Sequence, residues 1–422
     1  MKYISTRGKI KPIESMYAAA GIYAKDGGLY APEVMPRKID NSEIICLAWL
    51  SHARRMGFLF GRYLSDVYSG LVTEFGDRAF VSADFNGSVI KLLKQGDNYF
   101  AEMQNGPSGS PFDVALRPLP ILFEYCLAAA KKGGSYILGY GVEPDENIKP
   151  LIIVPSTGDE ALALINATTN LTSGKVAVVY PEKEISGEKL HMLKKMQGEN
   201  VCLHGMDADI DEISLAITRY MRSNESSQLA ETQGLYPMRG DGQSWFGIVS
   251  HAAFFISAYC EMLVKKYITL GEQVNFSAPY DPTLETLNAA FYAKGLGSQI
   301  EKIICAAPRD SIFSKLVTTG ELDGSCVIDD MFIPSALERL IHAAAIFSEY
   351  GDGGIINDAL NKITSEGRYK LPSDAAKVLR DAFYIYHPDN AETDSDQKAM
   401  ALAALKHYES ETGETRKTIH MQ

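Results

Sequence analysis

Ala101–Leu116 reads AEMQNGPSGSPFDVAL, and the reading of the rest of the 422-residue chain turns on it. Taken alone, the second half of this stretch is a helix start. Ser110 suits the N-cap, Pro111 suits the first helical position, and Asp113 falls three residues after the cap, where an acid complements the helix dipole. Phe112 stands between them and contributes only an apolar ring.

Downstream of about residue 117, short apolar runs alternate with helical patterns. The expected strands are Tyr136–Leu138, Leu151–Val154, Val176–Tyr180, Val201–His204, Val274–Ala278 and Ile303–Ala306. Between them lie EALALINATTN, SGEKLHMLKKM and DEISLAITRYMRS, each with helical spacing. This βαβ rhythm predicts an α/β fold with mostly parallel sheets covered on both faces. Ligands of such folds bind beyond the carboxyl ends of the strands, so the loops after Val154 and Ala278 are the ones to inspect. Upstream, residues 43–75 carry helical apolar spacing, and Asp26-Gly27-Gly28 is a turn leading into a short strand at Leu29-Tyr30. The polar run Arg222–Arg239 reads as a loop or hinge, and His387–Lys398 as a solvated loop.

Bulk properties narrow the functional classes. With 46% hydrophobic and 22% charged residues, the composition is that of an ordinary globular protein with room for two or three domains. The net charge of −12 argues against nucleic acid or an anionic membrane as partner. No apolar run approaches the ~20 residues needed to span a bilayer, and MKYISTRGKIKPIE has no signal-like apolar core, so a cytoplasmic protein is expected. Six widely spaced cysteines read as buried free thiols. No His, Cys or carboxylate set has metal-ligand spacing, and Arg239-Gly240-Asp241 reads as a chance tripeptide.

Several segments together resemble the threonine synthases, fold type II enzymes dependent on pyridoxal phosphate (PLP). Ser5-Thr6-Arg7-Gly8 and Lys25–Glu33 resemble that family's N-terminus. Glu102, Gly106, Pro107, Asp113, Ala115 and Leu116 fall without a gap on its pattern E-L-F-H-G-P-T-x-A-F-K-D-x-A-L. Ala306–Gly320 and Pro334–Leu340 resemble its scaffold segments. The resemblance implies a tryptophan synthase β-like architecture: two mostly parallel sheets flanked by helices, plus an N-terminal subdomain. The implied domains are 1–95, then 96–140 with 236–422 as a large α/β domain, and 141–235 as a small one.

The departures concentrate where the family does its chemistry. The lysine that carries PLP is replaced by Phe112, whose ring can neither form a Schiff base nor move protons. Leu151–Ala163 resembles the loop A-T-S-G-D-T-G-x-A, with Ser156, Thr157, Gly158 and Asp159 in place but Glu160 and Ala161 replacing a threonine and a glycine. Val274–Ala290 resembles the phosphate loop F-x-x-P-x-G-N-F-G-D, yet Asp281, Pro282 and Leu284 replace its glycines and asparagine. Proline lacks an N–H and aspartate brings a charge, so the cradle is spoiled; Asp281 then Pro282 reads as an N-cap and first helical residue instead. Gln243–His251 resembles N-x-N-W-x-R-I-x-x-Q, with Gly247 for the arginine and His251 for the glutamine. At the C-terminus the family's T-A-H-P-x-K-F strand finds no counterpart before Gln422.

These residues predict a threonine synthase-like protein without PLP catalysis, acting as a binding or regulatory subunit, as a homo-oligomer or paired with an active relative. An active PLP-dependent carbon–oxygen lyase, converting O-phosphohomoserine to threonine and phosphate, is the alternative; then PLP would be needed, whereas the first reading expects no cofactor. Lys131 and Lys132, the nearest lysines downstream, are about 28 Å along a helix at roughly 1.5 Å per residue, too far to serve the same pocket. A third reading keeps the crevice for a small neutral or cationic ligand. Ser108, Phe112, Asp113, Ser156, Thr157, Gly158, Asp159 and Asp281 are its candidate lining.

Overall fold

The Val- and Ile-rich runs become strands, fully buried at Val274–Ser277 and alternating buried with half-buried side chains at Lys149–Pro155 and Lys175–Pro181, where β-branched residues pack well. A computed structural model describes the chain except residues 21–22, 65–75, 86, 124–148, 169–173, 243, 282, 328–333, 352–353, 389–396 and 422. The expected strand Tyr136–Leu138, together with Cys126, Lys131, Lys132 and Pro282, lies outside the described residues.

The N-terminal strands β1 (Lys2–Ser5), β2 (Ile13–Glu14) and β3 (Tyr30–Pro32) form an antiparallel sheet in the order β2-β1-β3. The Asp-Gly-Gly turn precedes β3 as expected, with Gly27 at φ +82°. Ser5 Oγ donates to Asp26 at 2.7 Å, Thr6 Oγ1 donates to Glu338, and Arg7 pairs with Glu338 at 3.2 Å. Arg339 donates to the Tyr30 carbonyl at 2.9 Å. The first residues are thereby fastened to the segment around 334–340 by buried polar contacts.

Two further sheets carry the α/β body. Its strands are β4 (Lys91–Gln95), β5 (Asn98–Glu102), β6 (Lys149–Pro155), β7 (Lys175–Pro181), β8 (Val201–Met206), β9 (Leu235–Arg239), β10 (Val274–Ser277), β11 (Ile300–Ala306), β14 (Phe383–Tyr386) and β15 (Thr418–Met421); the short pair β12 (Glu321–Asp323) and β13 (Arg368–Lys370) stands apart. The smaller sheet, β8-β7-β6-β9, is parallel throughout. The larger, β14-β11-β10-β15-β5-β4, is parallel except for the β4–β5 pair. β6 and β10 are interior strands of their sheets, so the loops after them open between helices rather than at an edge.

Four expectations are corrected. The polar run Arg222–Arg239 is the helix Asn224–Gln233 followed by β9, whose Tyr236 is fully buried and whose backbone pairs with β6. The C-terminal strand exists: β15 lies between β10 and β5 in the middle of the large sheet. Cys46 and Cys202 are exposed, while Cys260, Cys305 and Cys326 are buried free thiols. Finally, the helix Trp245–Val264 is long and apolar enough to cross a membrane by length and composition. Its side chains are instead mostly buried in the protein, packed against His52–Tyr63, Phe112–Leu116 and Glu285–Gly295, so it is a core helix.

Candidate functional site

Three helix beginnings matter here: Phe112–Leu116, Asp159–Thr168 and Glu285–Gly295. The first two pack against each other. The second and third are close enough that Glu160 acts electrostatically on Glu285. In a fold that leaves these ends open, each would present free backbone N–H groups to an anion. In this chain each is occupied by the protein's own side chains.

At the first, the helix begins at Phe112, with Pro111 in the capping place and no side-chain cap. Pro111 is already helical, and Ser110 Oγ accepts from the Phe112 N–H at 3.3 Å, two residues on, as the expected cap at Ser110 with Pro111 in the first helical place requires. The Phe112 ring is half-buried against the core. Asp113 is fully buried, and its Oδ2 accepts from the Ser108 N–H and Oγ at 2.8 and 2.7 Å. Burial pushes the Asp113 carboxyl above its usual pKa despite those bonds and nearby Arg117. Gly106 lies so close to this carboxyl that any Cβ would collide with it.

At the second, Ser156 is buried and its Oγ accepts from the N–H groups of Gly158 and Ala161 at 2.9 and 3.2 Å. The same hydroxyl donates to Glu160 Oε2 at 2.6 Å. Burial raises the Glu160 pKa, against the lowering effect of the Ser156 bond. Asp159 is taken by Lys189 at 2.8 Å, and Gly158, at φ +133°, has the Lys189 side chain where a Cβ would go. Thr157 is half-buried at the turn.

The third is the most altered. The helix starts at Glu285, not at Pro282, and the residue in its capping place is Leu284 in a left-handed conformation, φ +53°. The expected N-cap at Asp281 is therefore corrected: it lies four residues before the helix. Its carboxylate accepts from Thr283 Oγ1 and feels the nearby backbone N–H groups of Thr283, Leu284 and Glu285, while the Leu284 N–H donates to the Asp281 main-chain carbonyl at 3.0 Å. Burial still raises its pKa. The backbone thus keeps a glycine-like conformation although leucine occupies the position, at a cost of about 1–2 kcal/mol, which burial of the Leu284 side chain offsets.

A carboxylate cluster results. Glu285 is buried, its Oε2 has no hydrogen-bond partner, and Gly242 sits against it so closely that a Cβ would collide. Burial, then Asp241, Asp281 and Glu160, push its pKa well above the usual value, with Arg239 opposing. Arg239 is itself buried and ion-paired with Asp241, so Arg239-Gly240-Asp241 is an interior feature. Sequence reading missed Glu285, Asp241 and Arg239 as site residues. Glu285 had a signal, since the final aspartate of the phosphate-loop pattern falls on it; Asp241 and Arg239 had none. His251, three residues beyond Ile248 on the core helix, is buried beside Phe255, and burial lowers its pKa to about 4.

The Glu285 shift has a pH consequence. A carboxyl that binds its proton more tightly in the folded state favours folding below its unfolded pKa. It costs stability as pH rises from the model-peptide value of 4.5 towards its folded pKa. Every tenfold difference in proton affinity is worth about 1.4 kcal/mol. Glu285→Gln is therefore expected to match the parent near pH 4 and to become the more stable protein as pH rises, which urea unfolding at a series of pH values measures. A constant difference at every pH would contradict this.

Among the described residues, no group of three or more His, Cys, Asp or Glu side chains is arranged to hold a metal ion. PLP fits no better. The aldehyde has no amine at Phe112, the Asp281 carboxylate stands beside the amides that would take the phosphate, and one of these, the Leu284 N–H, already donates to the Asp281 carbonyl at 3.0 Å.

Comparison with known proteins agrees with this fold. Residues 2–67 match the family model described as threonine synthase N terminus. The chain is 24% identical to human threonine synthase-like 1 over 378 residues, which is 85% of this chain and 48% of that protein. It is 24% identical to the threonine synthase of Eremothecium gossypii over 432 residues, covering 96% and 78%. The chain therefore spans about half the length of the threonine synthase-like 1 relatives. Among solved structures, yeast threonine synthase superposes with a TM-score of 0.79 at 18% identity, covering all of this chain and 86% of that one. PLP-bound threonine synthase from Brucella melitensis gives 0.76 at 17%, covering 100% and 88%. The architecture is that of the fold type II PLP enzymes.

Proposed function

We infer that this divergent member of the threonine synthase family has given up PLP-dependent catalysis and serves as a binding or regulatory protein. The observation that carries the reading is Asp281 itself: its buried carboxylate stands in the phosphate loop on Thr283 Oγ1, beside the N–H groups of Thr283, Leu284 and Glu285, and its main-chain carbonyl already takes the Leu284 N–H at 3.0 Å. Phosphate recognition needs those donors vacant and the neighbourhood positive or neutral. Here Glu160, Asp241 and Glu285 add further acid, and Phe112 supplies no amine. Free thiols and the acidic net charge suit a cytoplasmic protein that engages neither nucleic acid nor membranes. Its partners are a small molecule in the crevice, further copies of itself, or an active relative.

Kinship with PLP-dependent lyases supports a competing reading, an active threonine synthase acting on O-phosphohomoserine. One experiment decides between them. Incubated with PLP, dialysed and treated with borohydride, the protein is expected to remain colourless and to carry no reduced cofactor on a crevice lysine, as read by peptide mass analysis. Stoichiometric fixation at one lysine near Phe112, with formation of threonine from the phosphorylated substrate, would establish the competing reading instead.

A further inference from the structure

We propose that a cavity at the amino ends of β10 and β11, away from the crevice, binds a small organic monocarboxylate with an apolar body, held by Lys294 and Lys38. The inference goes beyond the reading of the crevice and does not depend on what the crevice holds.

Room and approach are both present. The cavity measures about 590 Å³, within the range of small-molecule sites. Gln273 and Gln299, the residues immediately before the two strands, line it, whereas the crevice loops follow the carboxyl ends. The helix Glu285–Gly295 spans the distance, roughly 14 Å from Glu285 to Lys294 at ~1.5 Å per residue. Lys38 and Gln273 are exposed, so the cavity opens to solvent beside them, while buried Phe291 and Ile300 form its inner wall.

Charge decides the sign of the ligand. Acids outnumber bases in the chain by 53 to 41, yet no Asp or Glu lines this cavity, and its charged residues are Lys38 and Lys294. Lys294 is half-buried, and its Nζ donates to the Ile300 and Glu301 carbonyls at 2.6 and 2.8 Å. Those bonds tie the end of the helix to β11 and use two of the ammonium's three donors, but they bring no negative charge. Among the described residues, neither Lys294 nor Lys38 forms an ion pair. A sheltered charge without a counter-ion is costly, and a carboxylate accepting the third N–H supplies one. Gln273 and Gln299 add amide donors for its second oxygen. Glu301 and Asp381 act on Lys294 from outside the lining, which suits a single negative charge better than the larger charge of a phosphate. Ile346, Phe347 and Val378 also line the cavity and are only half-buried, so a ligand with an apolar body gains by covering them.

The test is titration calorimetry of the full chain with 3-phenylpropionate, its neutral amide 3-phenylpropanamide, and inorganic phosphate. Saturable binding of 3-phenylpropionate is expected, about tenfold or more tighter than that of the amide. Lys294→Met should weaken it about tenfold or more, Lys294→Arg should retain most of it, and Lys38→Met should cost about two- to fivefold, as befits an exposed charge. Because Lys294→Met also removes the bonds to β11, circular dichroism checks its fold. Val378→Glu places an acid on the lining without touching those bonds and should abolish binding. No carboxylate binding, equal binding of the amide, or carboxylate binding unchanged in Lys38→Met and Val378→Glu overturns the proposal and leaves the reading of the crevice untouched. Lysine-dependent binding of phosphate in place of the carboxylate overturns it as well.

Discussion

Phe112→Lys alone is expected to leave the protein unable to hold PLP. Restoring the amine supplies one anchor, but the phosphate would still have to sit against the Asp281 carboxylate, which stands beside the N–H groups of Thr283, Leu284 and Glu285. A phosphate carries roughly −1.5 to −2 charge at neutral pH. Each unit of charge beside an ionised carboxylate at ~4 Å costs about 4 kcal/mol at an effective dielectric near 20. That is close to a thousandfold in affinity for each charge pair. Asp281 could avoid part of the cost by taking up a proton, as its raised pKa allows, but it would then give up its own bonds to the loop. The combination Phe112→Lys with Asp281→Gly and Glu160→Thr removes both acids that close helix beginnings and returns the amine. It is expected to gain at least about a hundredfold in PLP affinity over Phe112→Lys, measured by spectroscopic titration with borohydride trapping mapped to residue 112. Equal uptake by the single and triple variants would mean that the acids do not guard the crevice.

How much of this was open to sequence reading depends on how locally each feature is determined. β6, β7 and β11 announce themselves as runs of Val and Ile, β8 and β10 as short apolar runs that each open on a Val, and the structure starts or ends them within a few residues of expectation. β9 and β15 do not. Leu235–Arg239 contains Pro237 and Arg239, and Thr418–Met421 is four residues at the end of a polar tail. Both are strands because β6 in one case, and β10 with β5 in the other, supply hydrogen-bonding partners, which no local pattern encodes. The resemblance-based reading of the phosphate loop singled out Asp281, Pro282 and Leu284 as departures. It misplaced the helix start, because a left-handed leucine at 284 is a backbone fact set by tertiary packing and not by residue preference. The acids that act on Glu285 come from three separate segments, near 160, 241 and 281–285, so their influence on one another is set by the tertiary fold and by no local pattern.

Arg239→Met is expected to be the most destabilising single change at this site. The guanidinium is 4% exposed; Nε pairs with Asp241, one terminal nitrogen donates to the Ser214 carbonyl at 2.9 Å and to Thr218 Oγ1, and the other donates to Ser214 Oγ. It therefore joins the end of β9 to the helix Ile210–Arg222 and, through Asp241, to the acid cluster. Burial works against its charge, but Asp241 above all, then Tyr23 and Glu285, outweigh it and raise the guanidinium pKa. Removing one partner of a buried ion pair leaves the other charge uncompensated and costs about 3–5 kcal/mol. Asp241 would be left among Glu285, Glu160 and Asp281, so the upper part of that range is expected. The second change Asp241→Asn removes the stranded charge and should recover about half of the loss, the remainder being the hydrogen bonds to Ser214 and Thr218. Urea unfolding of the two single variants and the double variant measures the coupling. Additive losses would show that the pair is held by its surroundings rather than by each other, and the electrostatic account of the closed crevice would then lose its one opposing charge.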